Sequence, residues 1–230
     1  MDFFSKAEIL LGEEAMARLR ASRVAVFGLG GVGGWCAEAL ARTGVGTLML
    51  VDSDLVEESN VNRQVMATAR TVGRAKAEAL AERILEINPR ASVEPRVERY
   101  GEKTASSFAL ERFDYVIDAI DSLYDKAALI RHALSVPSAT LFSSMGAAMK
   151  LDSLKVRASA FSRVEGDALA RALRRRFRET GGIPERDFTC VWSPELARVA
   201  PAPGGRIFGS LAHTTAAFGF ALAGLVVQDA

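Results

Sequence analysis

The chain has 230 residues, of which 49% are hydrophobic and 25% charged, with a formal net charge of +1. That balance describes an ordinary soluble globular protein with a sizeable core. A charge so near zero excludes a global attraction to nucleic acid or membrane, so any such contact must come from a local patch. Two cysteines, Cys36 and Cys190, exclude a disulfide framework or a four-cysteine zinc site. Reduced thiols and a cytoplasmic location are the default expectation, and the opening "MDFFSKAEIL" has no signal-peptide pattern. The two histidines, His132 and His213, lie in separate segments and read as ordinary helix residues rather than metal ligands.

Apolar runs and helical patterns alternate along the chain. "RVAVFG" (23–28) reads as a short buried strand, 31–42 as a helix stopped near Gly44, and "TLMLVD" (47–52) as a second strand. From 71 to 88, Ala77, Leu80, Ala81, Ile84 and Ile87 share one helical face, and Asn88-Pro89 ends the helix. Strands follow at 92–97, 114–120 and 139–144, with a helix near 124–135 between the last two. This alternation predicts an α/β fold, a Rossmann-like and mostly parallel sheet with helices on both faces.

After Gly146 the pattern changes, and a smaller C-terminal α+β extension is expected: residues 1–146 form the nucleotide-binding domain, and 147–230 pack on it. The extension contains a strand in "KLDSLKVRA" (150–158), a helix over 166–180 and a strand in "DFTCVWS" (187–193). A Pro/Gly loop, "PAPGG" (201–205), then precedes the apolar run 211–227. That run is too short and too polar at its start to span a bilayer and reads as a core or dimer-interface helix.

"FGLGGVGGW" (27–35) stands between the first strand and the first helix of this pattern. Gly28, Gly30 and Gly33 fit the spacing G-x-G-x-x-G, with Gly31 inside it. Backbone N–H groups and a helix N-terminus at such a turn favour an anionic phosphate. Asp52 ends the second strand, where an acid accepts from ribose hydroxyls. On these features alone the first reading is a NAD-dependent dehydrogenase.

The next stretch argues against that reading. "VDSDLVEESNVNRQ" (51–64) gathers Asp52, Asp54, Asn60, Asn62, Arg63 and Gln64, and Lys76 follows near a helix start. Two cations in so polar a loop suit a triphosphate better than a hydride-transfer pocket: Arg63 offers a planar fork and Lys76 a point charge. "FDYVIDAIDS" (113–122) adds Asp118 and Asp121 at the carboxyl end of a buried strand, the edge where open α/β sheets bind ligands. A carboxylate facing a triphosphate suits Mg²⁺. Asp121, past the strand end, is the better ligand, whereas Asp118 is a candidate for structuring the loop.

The glycine loop with 35–64, "VGRAKAE", "INP" and "DAIDS" together resemble the ATP-dependent carboxylate-adenylating family. Its members include the molybdopterin- and thiamine-pathway activating enzymes and the ubiquitin-activating enzymes. The resemblance is dense over residues 8–146. It implies that Gly30 and its neighbours hold the nucleotide and Asp52 its ribose. It further implies that Asn60, Arg63 and Lys76 contact phosphates and that Asp121 engages Mg²⁺. Within the family, "ALARTGVG", "YVIDAIDSLYDKAALI", "CVWSPE" and "GSLAHTTAAFGFALAG" are similar to the branch of dehydratases that act on threonylcarbamoyladenosine in tRNA. That likeness covers nearly the whole chain. It implies a homodimer that uses ATP to cyclise the modified nucleoside, with sulfur-transfer proteins as further partners. Lys6 stands where related sequences tend to carry an arginine that reaches the partner subunit's nucleotide, and "SSMGAAMK" (143–150) replaces a more glycine-rich turn.

Two features bear on the acceptor. A nucleophilic Cys190 would make the protein an activator of a ubiquitin-like or sulfur-carrier protein, but its setting in "FTCVWS" is that of a small buried hydrophobe. Cys36 reads as a packing residue. In "RALRRRFRE" (171–179), Leu169, Leu173 and Phe177 share one helical face. Arg171, Arg174, Arg175 and Arg178 take the other, either as a solvated face or as a contact to the phosphate backbone of tRNA. Adenylation of tRNA, adenylation of a carrier protein and dinucleotide binding remain the three classes, in that order.

Overall fold

The computed structural model describes residues 3–196 and 209–230; the PAPGG loop lies outside them. Seven strands form one sheet, β1 (Arg23–Phe27), β2 (Thr47–Val51), β3 (Ser92–Arg96), β4 (Tyr115–Asp118), β5 (Thr140–Ser144), β6 (Arg157–Ala160) and β7 (Thr189–Trp192), in the order β3-β2-β1-β4-β5-β7-β6. All neighbours are parallel except β6 and β7, which pair antiparallel. The strand order turns back between β1 and β4. That is the switch point of an open α/β sheet, where the two adjacent strands send their following connections in opposite directions and leave a crevice.

The period of two along β1 explains why both faces are covered. Val24 and Val26 enter one core with α3 (Gly33–Thr43), α4 (Lys76–Ile87) and α7 (Ala212–Asp229). Ala25 and Phe27 enter the other with α5 (Leu123–Ser135) and α6 (Ala168–Glu179). The apolar run that ends the chain is therefore a core helix. Gly219 of α7 lies so close to α3 that an added Cβ would come within 2.5 Å of Val32 O.

The helix over 71–88 begins at Lys76, later than periodicity predicts. The backbone before it is spent elsewhere: Gly73 N donates to Val56 O, Val56 N to Arg74 O, and Lys76 N to Asp54 O. The strand expected from residue 150 starts at Arg157, because Asp152 Oδ1 accepts from Leu154 N and closes a 3₁₀ turn over Ser153–Lys155. Two N-terminal helices, α1 (Ser5–Leu11) and α2 (Glu13–Ala21), were not expected from the pattern. Met16 and Leu19 of α2 are buried in the core, while α1 leaves Ile9 and Leu10 exposed.

Candidate nucleotide site at the sheet switch point

A cavity of about 700 Å³ opens at the carboxyl ends of β1, β2 and β4. Every residue proposed for the nucleotide lines it except Gly33, which lies beneath. The glycines divide the work. Gly28 takes φ +83°, and a Cβ there would meet Ala119 O at 2.6 Å, so its bareness lets β1 and β4 converge. A Cβ on Gly33 would lie 1.9 Å from Gly28 O, which makes it a requirement of the turn itself. At Gly31 the neighbour is the Thr215 hydroxyl of α7, at 3.0 Å. Only at Gly30 is the space open: the nearest group is Gln64 Nε2 at 4.0 Å. Gly30 therefore exposes backbone to the cavity beside the start of α3, where amide N–H groups and the helix dipole favour a phosphate.

Asp52 is held rigidly. Its Oδ2 accepts from Leu29 N at 2.7 Å and its Oδ1 from Asp54 N at 2.9 Å. Burial raises its carboxyl above the usual range, opposed by the Asp54 amide and by nearby Lys76. Each oxygen keeps a lone pair for a ligand hydroxyl. Lys76 is buried with its ammonium 2.8 Å from Asp54 Oδ2, at the cavity wall. Arg63 spends only Nη1 among the described residues, on Ser59 O and Asn62 Oδ1; the rest of the fork is left for an anion. Gln64 is 6% exposed, and its buried Oε1 has no partner among the described residues. An orphaned acceptor in a cavity wall is costly unless a ligand satisfies it.

Asn60 lines the cavity but is engaged locally. Its Oδ1 accepts from Glu57 N while the Glu57 side chain accepts from Asn60 N, which closes a capping box, and its Nδ2 donates to Ser59 Oγ. Asn62 Nδ2 donates to Ser210 O and ties this loop to the C-terminal segment.

The two aspartates after β4 separate cleanly. Asp118 is fully buried in an ion pair with Lys126 of α5 at 2.8 Å, and it accepts from Ser143 Oγ at 2.6 Å and from Ile120 N. It shapes the loop. Asp121 is exposed on the cavity rim and makes no hydrogen bond or ion pair among the described residues. A single unengaged carboxylate beside a phosphate site fits Mg²⁺, which takes one or two carboxylates and completes its shell with phosphate oxygens and water.

Sequence reasoning missed part of the wall. Ser144 to Ala148 and Leu169 close the side opposite the polar loop, and Glu98, Arg99 and Tyr100 close the end. The 143–150 stretch stood out only as a departure from a family turn, and nothing in residues 98–100 carries a motif.

The remaining candidates lie apart from the cavity. Cys190 is buried in β7, and burial pushes its thiol well above the ordinary value; Cys36 is buried and raised for the same reason. Neither is a ready nucleophile. On α6, Arg171, Arg175 and Arg178 are exposed, but Arg174 turns inward. Its Nη2 donates to Phe161 O at 2.6 Å and Val164 O at 2.7 Å, and its guanidinium lies over the Phe161 ring. The reading that set it on the open face is corrected: the carbonyls of Phe161 and Val164, at the two ends of the 3₁₀ turn Phe161–Arg163, draw the guanidinium inward. Lys6 is exposed on α1.

A doubly wound sheet whose switch-point cavity joins a bare glycine loop, a ribose-competent carboxylate and two cations is that of an ATP-binding enzyme. The chain belongs to the ThiF family, whose model matches residues 5–227. It is 42% identical over 180 residues to the tRNA threonylcarbamoyladenosine dehydratase of Bacillus subtilis (strain 168), covering 77% of this chain and 70% of that one. It superposes on the E. coli tRNA N6-threonylcarbamoyladenosine dehydratase in complex with ATP with a TM-score of 0.91 at 35% identity, covering 98% of this chain and 92% of that one. The AMP complex of the E. coli protein matches with the same TM-score, identity and coverage.

Proposed function

We propose that this protein adenylates the carboxylate of threonylcarbamoyladenosine in tRNA and cyclises it to the hydantoin form. The observation that carries the reading is the switch-point cavity, whose groups suit a nucleotide triphosphate. The near-complete superposition on a dehydratase in ATP and AMP complexes supports it.

In this reading the lining of the cavity divides the ribose and phosphates of ATP among its groups. Backbone at Gly30 and the start of α3 receive the α-phosphate, Asp52 the ribose hydroxyls, and Arg63 and Lys76 the outer phosphates. Mg²⁺, when bound, neutralises charge on the phosphates, and Asp121 is the residue that would hold it. The substrate carboxylate attacks the α-phosphorus, and the bond to pyrophosphate breaks. Arg63 and Lys76 stabilise the charge that develops on the phosphoryl oxygens. A nitrogen of the same nucleoside then attacks the acyl carbon, loses its proton and expels AMP. Because the nucleophile is already tethered, positioning replaces a protein nucleophile, which agrees with the buried, unactivated Cys190.

The protein acts in the cytoplasm as a homodimer, in which a second copy would cover the exposed Ile9 and Leu10. A sulfur-transfer protein as a further partner rests on the family likeness alone. The reading is tested by mass spectrometry of bulk tRNA from a strain lacking the gene. Loss of the cyclic nucleoside with accumulation of its open form is expected; an unchanged nucleoside profile would refute it.

A further inference from the structure

A second cavity of about 470 Å³ adjoins the first and shares Arg99, Tyr100 and Asp125 with it. Its far wall joins the first turn of α5 to α6. Tyr124 is 65% exposed, unusual for so large a ring, and the Arg176 guanidinium stacks over it at 4.7 Å from the ring centroid. Arg176 is the one arginine of the α6 run that the amphipathic reading left out, and it faces this cleft. The rim carries Lys103 and Glu102, both exposed, and Arg99 is paired with Asp125 at 2.7 Å. Three cations against two carboxylates leave the cleft net positive. Neither Tyr124 nor Arg176 lines the ATP cavity.

An exposed aromatic stacked with a guanidinium in a cleft of net positive charge is the equipment of a single-stranded nucleic-acid site. Unstacked bases settle on aromatic and arginine planes, and cations track the backbone. We propose that this cleft receives an unpaired nucleotide of the tRNA next to the one being modified, its base stacked on the Tyr124–Arg176 pair and its phosphate near Lys103. Continuity with the ATP cavity gives the arrangement its sense: the reacting nucleoside occupies one chamber and its neighbour in the chain the other. The inference rests on the tRNA reading above.

The test measures cyclisation kinetics on tRNA carrying threonylcarbamoyladenosine, with ATP affinity followed separately by calorimetry. Tyr124→Ala should raise KM for the tRNA by about 5- to 150-fold, the value of one base–aromatic stack, with kcat and ATP affinity near wild type. Tyr124→Phe, which keeps the ring, should behave as wild type. Arg176→Gln should weaken tRNA binding and flatten its salt dependence. A Tyr124→Ala enzyme with unaltered KM, while the wild type cyclises normally, overturns the cleft assignment alone. A wild type that leaves the tRNA unmodified overturns the functional reading and the cleft with it. Loss confined to adenylation of a carrier-protein C-terminus would assign the cleft to a peptide and overturn the proposal.

Discussion

A Cβ at Gly33 would overlap Gly28 O, whereas a Cβ at Gly30 would meet only Gln64 Nε2 at 4.0 Å. The two substitutions should therefore fail in different ways. Gly33→Ala should cost about 3 kcal/mol of stability through strain in the turn. Gly30→Ala should melt close to wild type yet bind ATP about tenfold or more weakly, a change of about 1.4 kcal/mol. Thermal melts paired with calorimetry distinguish the cases; a destabilised Gly30→Ala with intact ATP binding would reverse the roles. Arg63→Ala should lose charge-assisted hydrogen bonds worth about 1.5–3 kcal/mol, or about 10- to 150-fold in ATP affinity. Asp121→Ala should depress turnover more than binding. At this scale the candidate site was legible where chemistry is local in sequence: Gly28, Gly30, Gly31, Asp52, Arg63, Lys76 and Asp121 all line the cavity. The Tyr124–Arg176 pair was not legible, because its members are fifty-two residues apart on two helices that only packing brings together.

Between elements, Glu38 illustrates how α3 and α4 are locked beneath the site. Burial would raise its carboxyl, but hydrogen bonds from Arg83 and Arg42 outweigh that and hold it below the usual range. Arg83 Nε donates at 2.6 Å across to α3. A carboxylate whose native pKa is depressed contributes stability above its unfolded value of about 4.3, and the contribution is lost as pH falls through the native value. Glu38→Gln should therefore cost about 1–2 kcal/mol near neutral pH, the partly exposed arginines being screened by water. The difference from wild type should shrink in acid. Urea melts across that range check it; a gap that widens in acid would contradict the sign. On β7, Cys190→Ala should keep activity, because no thioester is required. A dithiothreitol-sensitive acyl adduct mapping to Cys190 would contradict that. Element types followed from periodicity, whereas boundaries did not: Lys76 opens α4 only because residues 73–76 bond back to 54–56. The helices α1 and α2 escaped the reading because α1 buries no residue deeply and α2 buries only Met16 and Leu19, which leaves little apolar stripe to detect.

For the whole molecule, the sheet order decides function. The reversal between β1 and β4 opens the crevice, and the residues after both strands fall into it. The α/β architecture was legible from alternation of strands and helices, although right-handed crossovers alone admit more than one strand order. That β7 and β6 continue the same sheet was not, since the antiparallel edge depends on the pairing of Arg157–Ala160 with Thr189–Trp192. Incubating the purified protein with ATP, Mg²⁺ and tRNA carrying threonylcarbamoyladenosine, and weighing the digested nucleosides, puts ATP-driven ring closure on tRNA to the proof. A nucleoside lighter by the mass of one water is expected, with AMP and pyrophosphate released in step with it. Open nucleoside left intact, with no AMP formed, would contradict it.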